Sequence, residues 1–92
     1  MATVFIPMPL RRLVNGQSKV KVDGQNIAEL VEQLEANYPG FQARLLDNKG
    51  EIKRFIKIFV NDKEIRALQG KETPLQADDE VSIFPAMAGG RR

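Results

Sequence analysis

Asn26-Ile27-Ala28-Glu29-Leu30-Val31-Glu32-Gln33-Leu34-Glu35-Ala36-Asn37-Tyr38 is the stretch on which the fold turns. Ile27, Leu30, Val31, Leu34 and Tyr38 recur at three- and four-residue intervals, so a helix over this span carries them on one face. Glu29, Glu32, Gln33 and Glu35 take the solvent side. Asn26 is suited to the N-cap, and Glu29 three residues later completes a capping-box-like pattern. Pro39 cannot continue the helix and Gly40 is free to turn, so the stop falls between Asn37 and Gly40. A single amphipathic helix cannot bury its stripe alone; it needs the face of a sheet.

Working outward, the flanks supply that sheet. Ser18 to Asp23 alternates, with Val20 and Val22 on one face and Lys19 and Lys21 on the other, the pattern of a half-buried strand. Thr3 to Pro7 is a short apolar strand. Pro7, Pro9 and Asn15-Gly16 punctuate the connection, in which Leu10 and Leu13 are expected core contacts, so the two strands form a hairpin with a long loop. Downstream, Phe41 to Leu46 is expected to make a short helical turn and Asn48-Lys49-Gly50 a loop. Phe55 to Val60 is a strand with Ile56, Ile58 and Val60 on one face and Phe55, Lys57 and Phe59 on the other; both faces are apolar, so its inward side is left open. Asn61-Asp62 turns the chain into a short strand around Glu64-Ile65. Thr73-Pro74-Leu75 is a loop, and Asp78-Asp79 leads into a last strand, Glu80 to Phe84, with Val81 and Ile83 on one face. The order predicts an α+β fold, a β-grasp roll in which a mixed sheet packs on one main helix. Residues 1–85 form the domain and residues 86–92 a flexible tail.

Composition narrows the function. The 92 residues suffice for one compact domain, and 42% are hydrophobic. Lys and Arg number 14 against 12 Asp and Glu, and two of the 14 are Arg91 and Arg92. The body is therefore balanced, which argues against a nucleic-acid footprint spread over one face. The absence of Cys excludes disulfides and thiolate metal sites, and the absence of His removes the usual general base near neutrality. No signal peptide is visible, and no apolar run approaches the ~20 residues of a membrane span; a cytoplasmic protein without membrane contact is the expectation.

Nothing in the body reads as catalytic. The carboxylates fall on the wet face of the helix or in turns, where solvation explains them. Asp78-Asp79-Glu80 precedes a strand as a turn would, and a hard-cation site needs several converging oxygen ligands. Gly70-Lys71 has no G-x-x-x-x-G-K context and is not a phosphate loop. The tail differs. Ala86-Met87-Ala88-Gly89-Gly90 has little side-chain bulk, and a backbone without Cβ atoms can enter a cleft that other residues would block. Taken alone, the dipeptide reads more readily as an ordinary frayed terminus.

The tail does not stand alone. The β-grasp order, Phe59-Val60-Asn61-Asp62, Asp78-Asp79-Glu80-Val81 and Phe84-Pro85-Ala86-Met87-Ala88-Gly89-Gly90 together resemble the ThiS/MoaD ubiquitin-like sulfur-carrier family over nearly the whole chain. Leu34-Glu35-Ala36-Asn37-Tyr38, Arg54-Phe55 and the Ala-x-Ala-Gly-Gly ending are most similar to the carriers of its cysteine-biosynthetic branch. The resemblance implies a protein co-substrate rather than an enzyme. It binds no cofactor itself. An E1-like adenylyltransferase uses ATP to activate the terminal glycine carboxylate, here Gly90, and sulfur then replaces the adenylate to give a thiocarboxylate. A pyridoxal-phosphate-dependent cysteine synthase takes the sulfur, and a JAMM-type metalloprotease releases cysteine. Ala86 to Gly90 would enter the partners' active sites. Phe59, with Phe55 and Phe84, is expected to stay partly exposed and dock the activating enzyme.

One departure stands out. Members of the family usually stop at the diglycine, whereas Arg91-Arg92 follows here and leaves Gly90 without a free carboxylate. Either the two arginines are a removable extension, or cloning added them, or the chain does not carry sulfur. Two other functions share the same fold and tail: a ubiquitin-like modifier of protein lysines, and the small subunit of molybdopterin synthase.

Overall fold

The alternation along each strand becomes rows across a sheet in the computed structural model, which describes residues 1–85. Strand β1, Ala2–Phe5, is followed by a 3-10 segment, Met8–Val14, and strand β2, Lys19–Val22. Helices α1, Ile27–Asn37, and α2, Phe41–Leu45, come next, then β3, Ile56–Val60, and β4, Lys63–Glu64. Two 3-10 turns, Ile65–Ala67 and Gly70–Glu72, lead to β5, Glu80–Pro85. The sheet order is β2-β1-β5-β3-β4. β1 and β5 run parallel at the centre, and β2, β3 and β4 are antiparallel to their neighbours. The expected mixed sheet on one main helix is the arrangement found, a ubiquitin-like β-grasp roll.

Register explains the core. Val20 faces Val4, Val4 faces Val81 and Val81 faces Val60, so one row of valines crosses four strands. Ile83 opposite Ile58 begins the next row. All six are buried, together with Ile27, Leu30, Val31 and Leu34 of α1. A slip of one residue in any strand would turn its valines to water, so burial fixes the register. Phe41 and Leu45 of α2 close the core beside α1 with no exposed surface.

The caps work as the sequence suggested, with two refinements. The Asn26 side chain accepts from the Glu29 N–H at 2.9 Å. The returning bond from Glu29 Oε1 goes to the Gln25 N–H at 3.0 Å, one residue before the N-cap. Glu35, expected on the solvent side, is half-buried instead. Its Oε1 accepts from Gly40 N at 3.1 Å and Gln42 N at 2.9 Å, satisfying donors at the start of α2 that the short helix leaves free. Gly40 takes φ 116, which suits glycine at this reversal.

Two segments differ from expectation, whereas Thr73-Pro74-Leu75 is the loop expected. The hairpin connection is not an irregular loop; its 3-10 segment buries Leu10 and also Val14, and Leu13 packs at the edge of the core. The short strand is Lys63–Glu64 rather than a pair centred on Glu64-Ile65. Ile65 opens a 3-10 turn, which lets it reach the core at 2% exposure. Thr73 is buried in its loop, and its hydroxyl accepts from Gln69 N at 3.1 Å.

Candidate functional site

The two sequence motifs beside Asn61 and Asp79 meet at one end of the sheet. Asn61 sits at φ 56, the left-handed region in which asparagine is tolerated. Its Oδ1 accepts from Glu80 N at 3.1 Å and its Nδ2 donates to Asp79 Oδ1 at 3.3 Å. Its own N–H donates to Glu80 O at 2.7 Å. Asp79 Oδ2 accepts from Gln76 N at 2.9 Å, and its carbonyl accepts from Thr3 N at 2.9 Å. These acids hold a turn and start β5 between its neighbours. Among the described residues no group of three or more Asp, Glu, His or Cys side chains is placed to hold a metal.

From that anchor β5 runs through the centre of the sheet. Pro85 at its far end lies opposite Ile56, so the chain leaves the sheet beside the start of β3. Ala86, Met87, Ala88, Gly89 and Gly90, and with them Arg91 and Arg92, lie outside the described residues.

No described element covers the sheet face opposite α1. Lys19, Phe5, Ser82, Phe59 and Glu64 form one row across it, and Phe84 pairs with Lys57 in the next. Phe59 and Phe84 meet edge to face, with ring centroids 5.5 Å apart and planes at 87°. Such a pair holds both rings in place without hiding them. Phe84 is 53% exposed, Phe55 44%, and Phe59 is half-buried. Phe59 and Phe84 therefore meet on this face; Phe55 lies in the turn before β3 at the same end. Phe5 was not singled out from the sequence. Its signal was present, because strict alternation from Val4 and Ile6, both buried, puts Phe5 on the opposite side.

A notch of about 340 Å³ opens beside Phe84, lined by Phe5, Pro7, Arg11, Ser82 and Phe84 among others. Arg11 is pinned at its rim by a bond from Nε to Ile6 O at 3.0 Å. A second concavity, about 460 Å³, lies at the opposite end between the β3–β4 turn and Leu68, Gln69, Thr73 and Pro74. Its charged residues are Asp62 and Lys63, which do not make a nucleophile and base. No described helix is long and apolar enough to cross a membrane. The described body thus presents a face with exposed aromatic rings and, beside it, the end of β5.

Comparison with known proteins matches this arrangement to a family. The ThiS family model matches residues 4–90, a span that includes Gly89 and Gly90. The chain is 41% identical over 90 residues to the sulfur carrier protein CysO of Mycobacterium tuberculosis, covering 96% of this chain and 97% of that one. It is 37% identical over 68 residues to small archaeal modifier protein 3 of Haloferax volcanii, covering 74% and 73%. The crystal structure of the BexX/CysO complex of Amycolatopsis orientalis contains a chain that superposes with a TM-score of 0.91 at 34% identity, over 98% of this chain and 100% of that one. These relatives bear the names of carriers and modifiers. The chain belongs to the ThiS family and is similar over nearly its whole length to sulfur carrier proteins.

Proposed function

We propose that the chain carries sulfur as a thiocarboxylate on Gly90. The observation that supports this most is that the family match runs through the β-grasp body into the diglycine. In the proposed sequence a Gly90 carboxylate oxygen attacks the α-phosphorus of ATP on an E1-like partner, releasing pyrophosphate. Hydrosulfide then displaces AMP from the acyl adenylate and leaves the thiocarboxylate. The sulfur passes to an activated serine on a pyridoxal-phosphate-dependent cysteine synthase, and a JAMM-type metalloprotease returns the carrier. Phe59 and Phe84, with Phe55, form the docking surface, since exposed aromatic rings anchor interfaces well. Phe84 stands next to Pro85, where β5 ends beside the start of β3, so this surface adjoins the point at which the described chain leaves the sheet.

This chemistry requires a free carboxylate on Gly90, which in the full sequence is tied up in the peptide bond to Arg91. Removal of Arg91-Arg92 is therefore part of the proposal. A cut after Gly90 leaves every described element intact, because all of them end by Pro85.

The test compares the full chain, the chain ending at Gly90 and that shorter chain with Gly90→Ala, each with the E1-like enzyme of the source organism. ATP–pyrophosphate exchange and intact mass are measured. The reading requires exchange, and a mass gain equal to sulfur replacing oxygen, from the chain ending in Gly90 alone. Equal activation of the full chain with both arginines still attached refutes it. The likeness to an archaeal modifier protein favours one alternative, isopeptide transfer of Gly90 to lysines. Stable protein adducts in place of a thiocarboxylate would select that alternative.

A further inference from the structure

β2 is an edge of the sheet, since the order β2-β1-β5-β3-β4 gives it a neighbour on one side only. Two bonds decide which of its backbone groups are left over. Thr3 N donates to Asp79 O, so the Thr3 backbone turns toward β5; Ile6 N donates to Ser18 O, so the Ile6 backbone turns toward β2. In an antiparallel pair such bonds recur at every second residue. With Val4 opposite Val20 and Ala2 opposite Val22, the N–H and C=O groups of Val20 and Val22 therefore face β1. Those of Lys19 and Lys21 point outward, and no described turn or loop bonds to them. The edge thus offers the donors and acceptors of both lysines in a row, and both lysine side chains are exposed.

The groups around this edge set the chemistry of what can fill it. Across β1, Lys19 stands beside Phe5 and Lys21 beside Thr3; Glu80 lies one strand further in, in the row of Lys21. Neither lysine belongs to an ion pair among the described residues. On the inner side, Gly24 just past β2 lies close against Leu30. Ala28, Val31 and Glu32 turn the other way, toward Gln42 and Lys71. Helical spacing puts Gln33 and Asn37, both neutral and exposed, on the Leu30 flank beside β2. Two acids lie past the end of β2. Asp23 is 4.0 Å from the Met1 amine, and the Glu29 carboxylate accepts from Gln25 N at 3.0 Å.

From this register we infer that β2 takes up an extended acidic segment of a partner protein as an added antiparallel strand. Directly opposite residues share a face, so the segment carries Asp or Glu at the two alternate positions facing Lys19 and Lys21. The residue between them is uncharged and lies beside Val20. Main-chain bonds supply the affinity and the alternate acids the selectivity. A second β2 is a poor occupant, because pairing the strand with itself along its length sets lysine opposite lysine, a known guard on open edges. The inference is independent of the carrier reading: β1 and β2 stand between the added strand and β5, so Phe59 and Phe84 stay open.

Amide hydrogen exchange of the full chain, read by NMR with the end-blocked peptide Ser-Thr-Glu-Val-Glu-Thr-Ser, tests the inference. At about ten times the dissociation constant, mass action should slow exchange at Lys19 N and Lys21 N about tenfold. The amides of Lys63 and Glu64, at the opposite edge, should be unchanged. The same peptide N-methylated at both glutamates keeps its charge but cannot donate to the edge, and should bind at least about tenfold more weakly. A peptide with lysines in place of the glutamates should bind at least about tenfold more weakly as well. Lys19→Gln/Lys21→Gln, at exposed positions, should weaken the acidic peptide about threefold or more at low salt and by less at high salt. Binding of the acidic peptide weaker than about 1 mM overturns the inference. So does equal binding of the N-methylated peptide, which would mean charge attraction without strand addition, or equal binding of the lysine peptide. Protection of Lys19 N and Lys21 N that grows with protein concentration in the absence of peptide overturns it in favour of a second copy.

Discussion

Replacing Asn61 tests whether the turn after β3 aligns β5, and two substitutions divide its role into parts. Asn61→Ala forces a Cβ-bearing residue without a compensating side-chain bond into φ 56, at a cost of about 1–2 kcal/mol. It also deletes the acceptor that Glu80 N reaches at 3.1 Å; at this solvent-accessible end that bond contributes about 0.5–1.5 kcal/mol. The sum is about 1.5–3.5 kcal/mol, which for a domain of this size lowers the thermal midpoint by roughly 6–28 °C. Asn61→Gly loses the same bonds but accepts the positive φ, so its cost should be about 1 kcal/mol, and it should unfold several degrees above the alanine variant. Urea unfolding followed by circular dichroism measures both, and hydrogen exchange at Glu80 N reports the local bond. If alanine and glycine variants are equally stable, the left-handed backbone is not what asparagine serves here. If the glycine variant matches wild type, the side-chain bonds across to β5 contribute nothing and the account of this turn is wrong.

Leu30→Ala removes a side chain that is 1% exposed at the centre of the α1–sheet interface, and should lower unfolding free energy by about 2–5 kcal/mol in a denaturant titration. Gly24→Ala would place a Cβ 2.8 Å from Leu30 N and 2.9 Å from Leu30 Cα, backbone atoms that cannot step aside without moving the helix, so a loss of about 1–3 kcal/mol is expected from the same titration. The Asp47 carboxylate accepts first from Glu51 N and also from Lys49 N, which holds it below its ordinary value of 3.8. Because the folded state depresses this pKa, its stabilising effect is complete above the unfolded value and is lost as pH falls through the folded one. Carbon-detected NMR titration should place its midpoint below those of freely exposed aspartates, and Asp47→Asn should flatten that part of the acid limb.

The parts of the fold that were legible from residues alone are those in which a local period and a local cap agree. Ile27, Leu30, Val31 and Leu34 mark one face of α1 whatever they pack against, and Asn26 with Glu29 marks its start. Val20 and Val22 declare the inner side of β2 because their neighbours are lysines. The diglycine at positions 89 and 90 is equally a property of the chain, and it pointed to the family only in company with the expected strand order and the motifs at 59–62 and 78–81. The inner side of β3 could not be read this way, since Ile58 and Phe59 are both apolar. Register decided it: Ile58 meets Ile83 in the core, whereas Phe59 lies between Ser82 and Glu64 on the open side. The union of Phe5, Phe59 and Phe84 is likewise tertiary, because it depends on β1 and β5 lying parallel although most of the chain separates them. Glu35 reads as a solvated acid until α2 folds back and brings two free N–H groups to its carboxylate. Side-chain periodicity tells a strand that it has two faces; which residues of distant strands share one of them follows only from the hydrogen-bonded register that burial of the whole core selects.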